Sequence, residues 1–336
     1  MTHKQIFSAV AVAVALLFAS CSVDPKSSGN PYEVMVVAED SLWNSDAGEN
    51  LRSVLETPME MLPQPEPMFH VSHVTNRHYD RITQLFRNII VYKVDPHYAK
   101  PRMQVQRDVF SSPQVVMTIV GPSAADLASY VKKQKQTLLR YFSVEEINRE
   151  ATRLAEKHNI AFDKEVMKMF GCHLYIPVDL KKMKVGENFI WASDDGLSTI
   201  QNIVIYSYPY ATRDVFRREA YIALRNHFME NIPGRSEGSV MSTNDNFVEV
   251  TNTNIRGNFT QEARGLWEMT GEAMGGPFIA HSQVDTISKR VIVVEGFVYA
   301  PNKMKRTMLR RLEGALYTLE LPAEVQAKKE DDQKEK

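Results

Sequence analysis

Two neighbouring stretches decide the fold: Pro277–Val284, PFIAHSQV, and Arg290–Tyr299, RVIVVEGFVY. Both are rich in β-branched and aromatic residues, and the polar segment near Asp285–Ser288 suits a turn, so they are expected to pair as a hairpin. Working outward, Phe247–Thr253, Ile200–Tyr208, Phe189–Ala192 and His173–Val178 have the same strand character. Nearer the start, so do Tyr32–Ala38, Met68–Val74, Ile89–Val94 and Gln114–Val120. Helical periodicity covers Leu42–Glu56, a long stretch from Ser123, Asp163–Gly171, and then roughly 212–232 and 302–321. Ser123 with Asp126, and Ser143 with Glu146, have capping-box spacing, so the long stretch reads as two helices, the second starting at Ser143. Strands interrupted by single helices predict an α+β fold, with largely antiparallel sheet and long helices packed on one face. A strand, a proline and a helix recur at Pro122, Pro209 and Pro301, about ninety residues apart, which suggests two similar halves. Proline near a helix start is also ordinary.

The expected organisation is a signal peptide over 1–20, a tether over 21–30 and an N-terminal α+β half over 31–122. A helical segment (123–170), a C-terminal α+β half (171–322) and a charged, disordered tail (323–336) follow. The 336 residues carry 40 Lys and Arg against 41 Asp and Glu, which gives no electrostatic case for nucleic acid. With 43% hydrophobic and 24% charged residues, the chain does not have a disordered, collagen-like or polytopic membrane composition. Two cysteines exclude a disulfide scaffold.

The N-terminus carries the clearest address. After His3 and Lys4, the fourteen residues Ile6 to Ala19 are apolar apart from Ser8, too short to cross a bilayer and suited to a secretory signal. The run ends in Leu17-Phe18-Ala19-Ser20-Cys21, which resembles the lipobox of bacterial lipoproteins. That resemblance implies cleavage before Cys21 and acylation of it, palmitate included, so the expected partner is a lipid bilayer. Ser22 at the next position favours the outer membrane, and the absence of an acidic run after it favours the periplasmic face.

Standard catalytic motifs are missing: there is no GxxxxGK[ST], GxSxG, HExxH or GxGxxG. His70 and His73 lie three apart on an expected strand and face opposite ways, so with His78 they read as polar positions rather than metal ligands. No metal or cofactor is expected. His227 reads as a core histidine and Cys172 as a small buried hydrophobe. Asp194 and Asp195 form a carboxylate pair beside Trp191. Paired carboxylates divide acid and base roles in glycoside hydrolysis, with Glu295 as a further candidate, but Asp-Asp-Gly is also ordinary turn chemistry. Lys303, Lys305, Arg306, Arg310 and Arg311 crowd the start of the last helix against its dipole, which suits either an anionic partner or a solvated face met by carboxylates.

Arg264-Gly-Leu-Trp267, Met274-Gly-Gly-Pro-Phe278 and Glu295-Gly-Phe-Val-Tyr-Ala-Pro301 together resemble an uncharacterised family of lipoproteins from anaerobic Gram-negative bacteria, a domain of unknown function. The resemblance runs from about Tyr32 to Leu321 and implies an envelope location but no activity. Read physically, Gly275-Gly276-Pro277 suits a close backbone approach. If Thr260–Thr270 is helical, Arg264 and Trp267 share a face. Arg264, Trp267, Gly275 and Gly276 are therefore a candidate binding site, or else a buried knot with Glu295 paired to Arg264. The resulting expectation is an anchored envelope protein that binds or scaffolds an envelope protein or glycan. The alternative is a glycan- or peptidoglycan-acting hydrolase.

Overall fold

A computed structural model describes residues 25–334; the expected signal peptide, Cys21 and residues 22–24 lie outside the described residues. The chain forms two compact units, residues 25–46 with 72–127, and residues 47–71 with 128–334. Its α-helices are α1 (Asp40–Trp43), α2 (Asp46–Leu55), α3 (Ala124–Lys133), α4 (Lys135–Glu156), α5 (Ile160–Phe170), α6 (Arg218–Met229), α7 (Arg306–Leu316) and α8 (Pro322–Lys334). None of them is long and apolar enough to cross a membrane.

The first unit is built on a five-stranded mixed sheet in the order β2–β1–β3–β5–β4. These strands are β1 (Glu33–Val37), β2 (His70–Val74), β3 (Asn88–Val94), β4 (Arg102–Arg107) and β5 (Val115–Gly121). β1, β3 and β5 run parallel, with Met35 beside Ile89 and Asn88 beside Val115, and β4 returns antiparallel to β5. The parallel strands are continuous apolar runs, as burial on both faces requires. β4, RMQVQR, was not expected because it is an edge strand with only alternate residues partly buried. Residues 25–30, expected as a free tether, are hydrogen-bonded into this unit through bridges from Lys26 to Ser112 and Ser28 to Phe86.

The second unit holds a fully antiparallel sheet ordered β6–β7–β8–β12–β11–β10–β9. It comprises β6 (Lys182–Gly186), β7 (Phe189–Ser193), β8 (Ile200–Pro209), β9 (Met241–Ile255), β10 (Asn258–Met269), β11 (Gly275–Asp285) and β12 (Arg290–Tyr299). The hairpin that opened the sequence reading is β11–β12, with Phe278 opposite Phe297 and Val284 opposite Val291. One face, with Ile203, Ile205, Ile279, Ile292 and Val294, packs with Leu154 of α4, Phe162 and Val166 of α5, and Leu309 and Leu312 of α7. The other, with Val204, Tyr206, Ala263, Phe278 and Val293, packs with Tyr221, Ile222 and Met229 of α6.

Several expectations are corrected. Helices pack on both faces of the seven-stranded sheet, not one, and the units are not two similar halves, since one sheet is mixed and the other all antiparallel. The condition of a helical Thr260–Thr270 is not met: Asn258–Met269 is strand β10, with buried Ala263, Gly265, Trp267 and Met269 alternating with the less buried Glu262, Arg264, Leu266 and Glu268. Ser143 starts no helix, because α4 runs through it and buries Ser143 and Glu146 in mid-helix. His173–Val178 contributes only one bridge, from His173 to Glu320. The charged tail expected to be disordered is helical as far as it is described, as α8 to Lys334.

Candidate functional site

On α6 the positions that meet the sheet are the adjacent Tyr221 and Ile222, then Arg225 and Met229 at successive helical turns. Arg225 therefore enters an apolar layer. Its Nε and Nη2 donate to the two carboxylate oxygens of Glu295 at 2.9 and 2.7 Å, with no solvent access to either side chain. Nη1 donates to Thr243 Oγ1 at 2.9 Å, and the guanidinium lies 4.0 Å from the centre of the Phe278 ring. Thr243 is itself oriented by Asn226 Oδ1, which accepts from its backbone N–H and its hydroxyl, each at 2.8 Å. Burial pushes the Glu295 carboxyl up, and the Arg225 charge reverses this only in part. Burial also raises the Tyr206 and Tyr221 phenols well above their ordinary range.

A second charged cluster occupies the opposite face. Arg264 of β10 donates from Nε to Glu262 at 2.7 Å and from Nη2 to Glu313 of α7 at 2.6 Å. Arg310 completes the Glu313 carboxylate at 2.7 Å, and His281 Nε2 lies 3.3 Å from Glu262 Oε2. Burial alone would raise the Glu262 carboxyl, but Arg264 and His281 hold it well below its usual range. Burial opposes Glu313 likewise, and Arg264 and Arg310 overcome it.

Arg264 and Trp267 are thus divided by the sheet. Three residues apart on a strand, they point to opposite faces, and Glu295 is paired with Arg225 rather than Arg264. Trp267 is 3% exposed and lies directly opposite Gly276, with its indole N–H donating to the Val298 carbonyl at 3.3 Å. A Cβ on Gly276 would collide with that carbonyl oxygen, and one on Gly275 would sit 2.7 Å from the Trp267 carbonyl oxygen. The close backbone approach read from the sequence is present, and it seats an indole.

The remaining candidates are also committed. Asp194 Oδ1 accepts from the backbone N–H of Gly196 and Gln201 in the β7–β8 turn, and Asp195, at φ 53°, pairs with Lys182 at 2.9 Å. The basic start of α7 is met by Glu66, whose carboxylate accepts from the N–H of Lys305 at 2.6 Å and of Arg306 at 2.9 Å. A buried carboxylate at that end offsets the charge that crowds the helix dipole. His73 bonds the Ala38 carbonyl and stacks on Trp43, and His78 bonds Thr75. His227 is exposed, since its helix turns Arg225 inward instead. Burial raises the Cys172 thiol far above its ordinary range. Among the described residues no cluster of three or more His, Cys, Asp or Glu is placed to hold a metal.

What the sequence did not reveal is a depression at the start of α5. Asn159 caps that helix by accepting from Phe162 N–H at 3.1 Å. Its side-chain amide donates to Leu180 O at 2.7 Å, and its own N–H donates to Ile176 O at 2.9 Å. This pins 176–180 beside the helix and leaves a cavity of about 370 Å³ lined by His158, Ile160, Phe162, Val178, Lys181 and Met183. Ile160 is 62% exposed there, and Val178 and Met183 are exposed too. The available signal was an isoleucine directly after an Asn cap, where a helix ordinarily turns outward.

Residues 159–318 match the model of a family described as Domain of unknown function (DUF4837), and residues 27–155 match a second, Domain of unknown function (DUF8532). This fits the expectation of a domain of unknown function, although two models rather than one divide the stretch from Tyr32 to Leu321. No curated protein matches the chain.

Proposed function

We propose that the protein is an outer-membrane lipoprotein, held by acylated Cys21 on the periplasmic side, that binds or scaffolds another envelope component. The observation that carries this reading is the depression at α5, where three apolar side chains stay exposed around a concave surface. Exposed apolar groups gathered in a concavity favour a docked partner segment. The hydrolase alternative has less support, because Glu295 is sealed in an ion pair and Asp194 and Asp195 are spent on a turn and a lysine.

Crosslinking and capture from native membranes tests the reading. Ile160→Asp should abolish capture of the partner while leaving the melting temperature and membrane retention of wild type. Capture that survives Ile160→Asp would remove the depression as the docking site. In the same experiment Cys21→Ala should leave an unprocessed precursor that washes from membranes.

A further inference from the structure

We propose that the first unit rests on the bilayer, with the end of its sheet that receives the N-terminus pressed against lipid. The inference rests on the lipid anchor proposed above. Only Ser22, Val23 and Asp24 separate Cys21 from Pro25, a span of at most about 14 Å in a fully extended chain. From Pro25 onward the chain is held: Pro25 O accepts from Ser112 N–H at 2.8 Å, Ser28 N–H donates to Leu85 O at 2.7 Å, and Arg87 N–H donates to Ser28 O at 2.9 Å. No long flexible spacer therefore intervenes between the anchor and the folded unit.

Topology decides which surface faces the lipid. Because β1, β3 and β5 are parallel, they begin at one end of the sheet, and their lead-in segments 25–32, 80–87 and 108–114 gather there. Gln114 joins the second and third by donating from Nε2 to the Gln84 and Phe86 carbonyls at 2.6 and 2.7 Å. This end displays Ile82, 75% exposed, with Val109 and Phe110 also exposed. Lys26 and Arg81 stand exposed beside them. The local carboxylates Asp80 and Asp108 are exposed but held within their own turns: Asp80 accepts from Ile82 and Thr83 N–H, and Asp108 accepts from Gln114 N–H. Exposed apolar tips this close to the anchor suit the acyl-chain boundary of a bilayer, which such groups enter by about 5–10 Å, while Lys26 and Arg81 can reach headgroup phosphates.

Single-cysteine labelling of the full-length acylated chain tests this, because Cys172 is buried and acylated Cys21 offers no thiol. Chains carrying Ile82→Cys, Val109→Cys or Val94→Cys are labelled with an environment-sensitive fluorophore and reconstituted in phosphatidylethanolamine–phosphatidylglycerol vesicles with and without acyl-chain bromine. Val94 ends β3 at the far end of the same sheet. Labels at 82 and 109 should lose about half their emission or more to brominated lipid, the depth expected of interfacial insertion, and the label at 94 should not. Equal quenching at 82 and 94, or none at 82 in washed vesicles whose N-terminal peptide carries acyl chains by mass, overturns the docking while the anchor stands. A blue shift at 82 without bromine quenching assigns the surface to a protein contact and overturns it as well. An unacylated N-terminal peptide overturns the anchor, and the docking with it.

Discussion

Arg225 and Glu295 each lose their hydration entirely, and their attraction offsets that cost only while both are present. Arg225→Ala should therefore destabilise by about 3–5 kcal/mol in urea unfolding, because it leaves a buried carboxylate unpaired. Arg225→Met combined with Glu295→Leu should recover most of that loss; a single variant no weaker than a surface substitution would show the pair to be energetically idle. Glu262 behaves differently. Its folded carboxyl is held below its ordinary value near 4.5, so the native state binds fewer protons than the unfolded chain. The stabilisation is complete above that value and is lost as the pH falls through the lower folded one. Glu262→Gln should accordingly be weaker than wild type at neutral pH, with the gap closing on acidification in melting experiments. A gap that stays constant would mean that the Arg264 and His281 contacts do not shift this carboxyl.

At the scale of elements, α4 shows how a local signal yields to packing. Ser143 and Glu146 have capping-box spacing, yet Glu146 answers Arg149 at 2.5 Å inside an unbroken helix, and the Ser143 hydroxyl is buried without a partner. Ser143→Ala should raise stability by about 0.5–1 kcal/mol, since it removes an unsatisfied hydroxyl and improves helix propensity. A true cap would instead lose about 1 kcal/mol on the same change, so the sign of the shift in melting temperature decides. α7 shows the reverse: its basic start opposes its dipole, and Glu66, some 240 residues earlier in sequence, accepts from the backbone N–H groups there, while Arg311 pairs with Asp179 and Arg310 with Glu313. Gly314 of α7 matters for packing, because a Cβ there would strike the Glu150 side chain of α4 at 2.5 Å.

For the molecule as a whole, the matched family boundaries and the compact units do not coincide. The second unit takes 47–71 and 128–155, which lie within the 27–155 match. Met59 and Leu154 belong to the core cluster of the seven-stranded sheet, and Leu62 and Met68 pack against it. A fragment restricted to 159–318 lacks all four, and it lacks Glu66 as well. It should express poorly, bind a hydrophobic dye and melt without cooperativity. A cooperative, dye-silent fragment would show that the sheet closes its own core.

The sequence by itself determined the β11–β12 hairpin, the apolar strands β1, β3, β5 and β8, and the α+β class, because continuous apolar runs and turn residues are local signals. It also located the close backbone approach at Gly275-Gly276. Only the tertiary structure decided which faces are shared. It made β10 a strand, placed Arg264 and Trp267 back to back, and brought Arg225 rather than Arg264 to Glu295. A charged residue reads as exposed wherever its partner lies far along the chain: 70 residues separate Arg225 from Glu295. Where helices cover both faces of a sheet, charged side chains such as Arg225 and Arg264 are buried by pairing with carboxylates distant in the chain, and no local pattern reveals those partners.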